Sequence, residues 1–341
     1  MKALVYEGPE KLRVAEFPKP VPKPGEVLVK IKACGICGSD IHGYLGITGR
    51  RVAPMVMGHE FSGVIELLGE NCSGKFHAGD RVTVQPVNFC GTCENCRKGF
   101  TNVCQNKKFF GVMDVDGAFE EYLCVPEKLL YRLPDSMSYL DGAMTEPMAV
   151  AYCGVSKAGD LKGKTVLIVG GGTIGQLALL AAKAKGAGTL LLSDISKNRR
   201  ETARKLGADF TIDASAADFQ GKVREALDGN LVDVAIEAVG ISATVKQAVE
   251  SLKPQGACVW IGNSAKEIQL NMQSVVTQEF KLFGTYIYTH EEFGKTIGFM
   301  QDNSLDFSEI ITGQIPLEEA PGMFRELVAG SEQHLKVVVT F

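Results

Sequence analysis

Residues 166–196 read VLIVGGGTIGQLALLAAKAKGAGTLLLSDIS, and this stretch decides half of the fold. The apolar run Thr165–Val169 ends in glycines, a helical pattern extends to Lys185, and a second apolar run, Thr189–Ser193, stops at Asp194. Gly170, Gly172 and Gly175 stand at the G-x-G-x-x-G spacing. That spacing alone is weak. Here it follows a strand and opens a helix, and an acid ends the next strand, which is the full context a dinucleotide demands. Gly170 permits the tight turn, Gly172 lets the backbone approach a pyrophosphate, and Gly175 lets helix and strand pack closely. The helix N-terminus, with Thr173 and Ile174, offers N–H donors and positive dipole to the anion. Asp194 is placed to accept hydrogen bonds from the adenosine ribose hydroxyls and to repel a 2′-phosphate, which favours NAD over NADP. Arg199 and Arg200 follow it. They can receive such a phosphate or simply form a solvated helix face.

Outward from this stretch the alternation continues. Lys197–Leu206 reads as a helix, Val232–Glu237 and Ala257–Ile261 as strands, and Val245–Leu252 as the helix between them. Strand and helix in turn mean an α/β domain with a doubly wound parallel sheet, its strands apolar throughout because helices cover both faces. Residues 1–150 read differently. Short apolar runs such as Glu26–Ile31 and Arg81–Gln85 are separated by Gly-Asp and Pro-x-Pro turn signals, the pattern of a β-rich domain. The tail carries helical Phe293–Gln301 and Pro316–Leu327 and a closing apolar run, Leu335–Phe341, which predicts a return to the first domain. The expected division is therefore 1–153, 154–289 and a return segment, 290–341.

Composition narrows the class. The chain has 341 residues, 45% hydrophobic and 22% charged, with a net charge of −4 and both signs interspersed. No basic surface for nucleic acid or an anionic membrane is expected. Met1–Gly25 is charged throughout and lacks the apolar core of a signal peptide, and no run approaches the roughly 20 apolar residues of a membrane span. The expectation is a soluble, cytoplasmic protein whose ten cysteines serve metal or thiol chemistry rather than disulfides.

Two groups of residues fit metal. In CGTCENCRKGFTNVC, Cys90, Cys93, Cys96 and Cys104 lie at the spacing that aims four thiolates at one zinc, within a lobe spanning about 88–106. A closed all-sulfur site leaves no exchangeable position, so it is structural. A redox Cys-x-x-C would need a thioredoxin-like context that is absent. The second group is dispersed. GICGSDIH supplies Cys37, Ser39 and His42, GHEFSG supplies His59 and Glu60, and TEPMAV supplies Glu146. One Cys, one His and one carboxylate would leave a position open, as a catalytic zinc requires, and an alcohol held there would be acidified. Singly, each residue has a plainer reading: Cys37 a core thiol, His59 a turn histidine, and Glu146 a helix N-terminal acid beside an N1 proline, Pro147. Cys34, Cys72, Cys124, Cys153 and Cys258 read as small core hydrophobes, and His77 and His290 as surface residues.

Taken together, GHEFSG, the four-cysteine lobe, VGGGTIG and KLGAD (205–209) resemble the zinc-containing medium-chain dehydrogenase/reductase family over essentially the whole chain. GICGSDIH with TEPMAV is similar to its polyol dehydrogenase branch. The resemblance implies a GroES-like catalytic domain plus a Rossmann domain, two zinc ions per subunit, NAD, and a homodimer or homotetramer joined through the Rossmann sheets, with Leu282–Tyr288 as the interface strand. It implies that Cys37 and His59 ligate the catalytic zinc. Of Glu60 and Glu146, one would bind zinc and the other hold its water or exchange with it. Ser39 would take the alcohol proton and His42 pass it on. Val239, Gly240, Ile261, Gly262 and Thr285 would border the nicotinamide and its ribose. Two departures count against sorbitol itself: Ile287 where relatives carry arginine, and Gly43 where they carry tyrosine. Arg50 and Arg51, in the loop before GHE, suit a substrate phosphate or carboxylate. The expected reaction is NAD-dependent oxidation of a secondary alcohol. The rivals are a threonine-type amino-alcohol dehydrogenase, a zinc-poor NADPH-dependent reductase, and a non-enzymatic zinc ribbon that binds nucleic acid.

Overall fold

A computed structural model describes residues 1–341, which form two compact units: Met1–Glu146 with Tyr288–Phe341, and Pro147–Ile287. The first crossing falls inside the helix Tyr139–Lys157, so no loop marks it in the sequence. Pro147 sits within that helix, and Glu146 is therefore a mid-helix residue rather than the N-terminal acid of the plainer reading.

The unit Pro147–Ile287 is built on six parallel strands. Their order across the sheet is Phe210–Asp213, Thr189–Asp194, Thr165–Val169, Val232–Glu237, Leu252–Trp260 and Lys281–Gly284. The order reverses between Thr165–Val169 and Val232–Glu237, which opens a crevice at their carboxyl ends. Val166, Leu167, Ile168 and Val169 are all fully buried, as a strand covered on both faces must be. The helix Thr173–Ala184 buries an unbroken run from Gly175 to Ala182. The expected helix Val245–Leu252 is Ser242–Glu250, and Leu252 already begins the next strand. Of the expected interface strand Leu282–Tyr288 only residues 282–284 are β, within Lys281–Gly284 at the edge of the sheet; Tyr288 is fully buried in the other unit.

In the first unit, seven strands form the main sheet. Its path runs Leu130–Arg132, Arg81–Val84, Glu60–Leu68, Glu26–Gly35, Lys336–Thr340 and Ile311–Pro316, with Tyr122–Pro126 also paired to Glu26–Gly35. The closing strand thus returns the tail to the first domain, antiparallel to Glu26–Gly35. This register matters for the site. Gly35 stands opposite Glu60 on one side and Val338 on the other, so Cys37, His59 and Lys336 all emerge at the same end of the sheet. A Cβ at 35 would lie 2.1 Å from Glu60 Oε2, so a side chain there would push that carboxylate aside.

Candidate active site and metal centres

Just beyond Gly35 the chain turns into the short helix Gly38–Tyr44, with Cys37 as its N-cap. Cys37 Sγ accepts the Ser39 N–H at 3.4 Å, and Asp40 Oδ2 accepts the Cys37 N–H at 3.0 Å. These two bonds lock the thiol at the helix entrance. The ligand atoms of Cys37, His59 and Glu60 all lie within 4.8 Å of one another. The structure thus brings three residues from GICGSDIH and GHEFSG to one point.

The charges around this point are unusually concentrated for a protein interior. Asp40 Oδ1 accepts Arg51 Nη2 at 2.6 Å and lies 3.3 Å from His59 Nδ1. Both oxygens of Glu60 accept from Lys336 Nζ, at 2.9 and 2.7 Å, and Lys336 also donates to the Ile36 carbonyl at 3.0 Å. Glu146 Oε1 accepts the Tyr288 hydroxyl at 2.6 Å. Asp40, Arg51, His59, Glu60, Glu146 and Lys336 are all buried. Burial works to raise the Asp40 pKa, yet His59 and Arg51 hold it well below the carboxylate range. Burial works to lower His59, yet Asp40 and then Cys37 lift it well above its ordinary value. Burial also pushes Glu146 up to about 7, with His59 opposing and Glu60 reinforcing. Lys336 stays charged because Glu60 and Cys37 outweigh its desolvation.

These directions leave the site short of positive charge. Three carboxyl groups and a thiol face two fixed cations, and the imbalance draws positive charge onto His59. A proton can supply it, and so can a divalent ion once Cys37 and His59 give up theirs. His59 Nδ1, 3.3 Å from Asp40 Oδ1, is buried without a hydrogen-bond partner, an orphaned polar atom that a ligand could satisfy. The residues fit zinc.

Ser39 is half-buried beside this group, and its Oγ accepts Arg51 Nη2 at 3.3 Å. His42, one turn further along the same helix, is exposed. Of the residues brought together here, sequence reasoning missed Asp40, Lys336 and Tyr288, and took Arg51 for a substrate contact. Asp40 had a signal, an acid within GICGSDIH at the position that closes a capping box. Lys336 had another, a lone cation in the apolar run Leu335–Phe341. Arg51 had none that separates it from Arg50. His290 is a correction. It is half-buried, with Nδ1 2.8 Å from both Tyr131 Oη and Gln85 Oε1, and its N–H donates to Thr101 Oγ1 at 2.7 Å. It anchors the first turn of the helix His290–Asp302 instead of facing solvent.

The four-cysteine lobe is a separate cluster. Sγ atoms of Cys90 and Cys104 are 3.5 Å apart, Cys93 and Cys104 3.9 Å, and Cys90 and Cys96 4.0 Å. A tetrahedron of zinc–sulfur bonds near 2.3 Å would space sulfurs by about 3.8 Å, so the set fits zinc. The N–H groups of Thr92 and Cys93 point at Cys90 Sγ and hold its pKa down to about 5, while burial and the neighbouring Cys93 push Cys96 up to about 12. No carboxylate or histidine joins this group of ligands.

In the other unit the dinucleotide candidates gather at the carboxyl ends of the strands. Gly170 has φ +100°, and a Cβ on Gly175 would lie 1.7 Å from the Gly170 carbonyl oxygen, so both positions require glycine. Gly172 caps the helix Thr173–Ala184 and has open space where a side chain would stand. Asp194 Oδ2 accepts the Gly171 N–H at 2.7 Å and Oδ1 the Ser196 N–H at 2.8 Å, which fixes the carboxylate at the loop. Arg200 is engaged with the Asp194 and Ile195 carbonyls and with Asp213. Arg199, more exposed, lies 3.6 Å from Asp194. Val239 and Gly240 follow the strand Val232–Glu237, and both N–H groups donate to Glu237 Oε1, at 2.9 and 2.7 Å. Gly262 crosses so close that a Cβ would lie 2.2 Å from the Gly240 nitrogen. Thr285 Oγ1 is buried without a partner, an orphan that a ligand could satisfy.

Sheet order, glycine turn and strand-end acid define a dinucleotide-binding fold, and the two clusters are groups of side chains that could each hold a metal ion. Comparison with known proteins agrees. Residues 23–135 match the alcohol dehydrogenase GroES-like domain, and residues 173–302 the zinc-binding dehydrogenase domain. The chain is 34% identical over 343 residues to a sorbitol dehydrogenase of Bacillus subtilis, covering 99% of this chain and 97% of that one. Its fold superposes on a zinc-binding dehydrogenase of Sinorhizobium meliloti bound to NADP with a TM-score of 0.93, at 31% identity, over 100% and 99% of the two chains. It superposes on galactitol-1-phosphate dehydrogenase of Escherichia coli with a TM-score of 0.91, at 29% identity, over 100% of both. The chain belongs to the zinc-containing medium-chain dehydrogenase/reductase family. It is an NAD(P)-binding dehydrogenase with a GroES-like and a Rossmann domain.

Proposed function

We propose that the enzyme oxidises a secondary alcohol of a polyol, sugar alcohol or sugar-alcohol phosphate to the ketone, reversibly, with NAD⁺. The observation that carries this reading is the convergence of Cys37, His59 and Glu60 within 4.8 Å, with Ser39 and His42 on the adjoining helix. The similarity to a sorbitol dehydrogenase and a galactitol-1-phosphate dehydrogenase supports the polyol class.

Cys37 and His59 would hold the catalytic zinc, Glu60 would complete the set, and Cys90, Cys93, Cys96 and Cys104 would hold the structural one. When bound, zinc supplies Lewis acidity toward the alcohol oxygen and NAD⁺ accepts the hydride. The chain's own residues manage the proton and the charge. Ser39 takes the hydroxyl proton, and His42, exposed at the far turn of the helix, passes it to solvent. Lys336 pairs with both Glu60 oxygens at depth, and Tyr288 orients Glu146 as the second acid. Arg51 is spent on Asp40, which leaves Arg50 as the exposed arginine of that loop for an anionic substrate group.

Asp194 supports NAD as the preferred cofactor, because its fixed carboxylate would face a 2′-phosphate. Arg199 beside it supplies the competing preference. Asp194→Ala should move the ratio of kcat/KM for NAD⁺ and NADP⁺ toward NADP⁺ by at least about tenfold; an unchanged ratio would remove Asp194 from this role. The edge strand Lys281–Gly284, with Phe283 exposed, supports a homodimer or homotetramer joined there. Ten free cysteines support a reducing, cytoplasmic setting, and no helix is long and apolar enough to cross a membrane. The reading is tested by NAD⁺ reduction with zinc-replete protein across polyols, their phosphates and amino alcohols. Turnover confined to threonine-like substrates would replace the polyol assignment, and no turnover with any secondary alcohol would end it.

A further inference from the structure

Arg51 holds a position that the relay just described does not account for. Its side chain is 1% exposed, and one nitrogen, Nη2, donates both to Asp40 Oδ1 at 2.6 Å and to Ser39 Oγ at 3.3 Å. Its Nε is buried without a partner. The stem lies where residue 43 has no side chain: a Cβ on Gly43 would come 2.1 Å from Arg51 Cδ and 2.6 Å from Nε. Ser39, Asp40 and Gly43 stand on one helix at spacings of three and four, so the guanidinium is seated against a single helical face.

We propose that Arg51 is a positioning residue for the proton acceptor, setting the direction in which the Ser39 hydroxyl passes its proton. The inference rests on the reading of Ser39 as that acceptor. A hydroxyl has one proton and two lone pairs, and a guanidinium has donors only. The lone pair that faces Arg51 is therefore occupied, and the Ser39 proton must point elsewhere. One lone pair remains for the proton of the substrate hydroxyl. A fixed positive charge beside the oxygen also disfavours Ser39 holding two protons. Its own proton therefore leaves toward the His42 side before or as the alcohol proton arrives, one proton in and one out. Asp40 ties this device to the metal site, because the carboxylate that holds Arg51 also lies against His59. Gly43 is the companion feature that makes room for it.

A double-mutant cycle on the zinc-replete, full-length enzyme tests the proposal, using Arg51→Lys, Gly43→Ala and Ser39→Ala. Lysine keeps a charge for Asp40 but loses the fork that reaches Ser39. Arg51→Lys is expected to lower kcat about tenfold, the weight of one charge-assisted hydrogen bond, and to raise the solvent isotope effect on kcat. KM for the cofactor, melting temperature and zinc content should hold. Gly43→Ala, which displaces the stem, should lower kcat likewise, with a lower melting temperature because it also disturbs the buried Asp40–Arg51 pair. In the Ser39→Ala background, Arg51→Lys should cost less than about twofold, since the two act as one unit. An equal loss in both backgrounds, or a loss that follows zinc content, would overturn the proposal, because Arg51 would then act through Asp40 on the metal site. If Arg51→Lys fails to fold, Gly43→Ala and Ser39→Ala complete the cycle. Full turnover by Ser39→Ala alone would instead overturn the relay reading beneath it. A slow Ser39→Ala with an undiminished Arg51 effect would overturn the Arg51 inference only.

Discussion

The two candidate metal sites of this chain are made in opposite ways. The four-cysteine lobe takes its ligands from one stretch of sequence, Cys90 to Cys104, and turns its backbone N–H groups toward the sulfurs. The Cys37–His59–Glu60 site takes its ligands from two strand ends and surrounds them with buried charge: Asp40 with Arg51, Glu60 with Lys336, Glu146 with Tyr288. The first needs nothing beyond its own loop. The second depends on the register of three strands, because Lys336 reaches Glu60 across 276 residues. Closed local coordination suits a staple, whereas an open, charge-tuned site suits chemistry, and the reaction proposed above is placed at the costly arrangement.

That contrast can be broken at its ligands and sharpened at its counter-charges. The largest effect is expected from His59→Ala, which removes a ligand from the open site. Turnover should fall by at least about a thousandfold, the several kcal/mol that metal assistance contributes. Circular dichroism and melting temperature should stay near the parent values. Wild-type-like turnover would transfer the chemistry elsewhere.

Next comes Lys336→Met, which leaves Glu60 buried without its cation. Breaking a buried pair in this way costs about 3–5 kcal/mol, read as a lower denaturant midpoint. A variant of unchanged stability would show that Glu60 does not depend on Lys336.

The effect that needs a change of pH to be seen is at Glu120, a buried acid with no cation beside it and thus a picture of what Glu60 would be without Lys336. Burial, reinforced by Asp116, pushes Glu120 up to about 8 from 4.5. Its folded-state pKa is raised, so between about 4.5 and 8 the folded chain keeps a proton that the unfolded chain loses. Stability should therefore fall as pH rises through that window, by about 1.4 kcal/mol per pH unit from this group. Glu120→Gln should melt with the parent at pH 4.5 and above it at pH 8.5; parallel melting curves at both pH values would contradict the burial argument.

How much of this was legible from sequence follows the same division. The strands Thr165–Val169 and Val232–Glu237 and the helix Lys197–Leu206 stand where their local patterns place them, because apolar runs, glycine turns and periodicity are local signals. The lobe was legible for the same reason. Cys37, His59 and Glu146 were legible only as motifs, since nothing in their spacing brings them together. Their partners left at most a local signal, with nothing to say what they would pair with. Lys336 lies in a strand whose pairing with Glu26–Gly35 is set by tertiary register, and Tyr288 sits just beyond an edge strand it was read as extending. Pro147 misdirects in another way: it sits inside Tyr139–Lys157, where a proline ordinarily announces a helix start. Arg51 differs from Arg50 only by the space that Gly43 leaves for it, which a single sequence does not display.

The central claim is a division of labour between the two metal sites. Native mass spectrometry of the parent, His59→Ala and Cys96→Ser, with polyol turnover measured on the same samples, tests it most directly. The parent should carry two zinc ions per chain and each variant one. His59→Ala should be folded and inactive. Cys96→Ser should melt about 5–10 °C lower but turn over within about threefold of the parent per folded chain. A folded Cys96→Ser that holds one zinc at Cys37 and His59 and has lost turnover, or a His59→Ala that keeps it, would contradict the account.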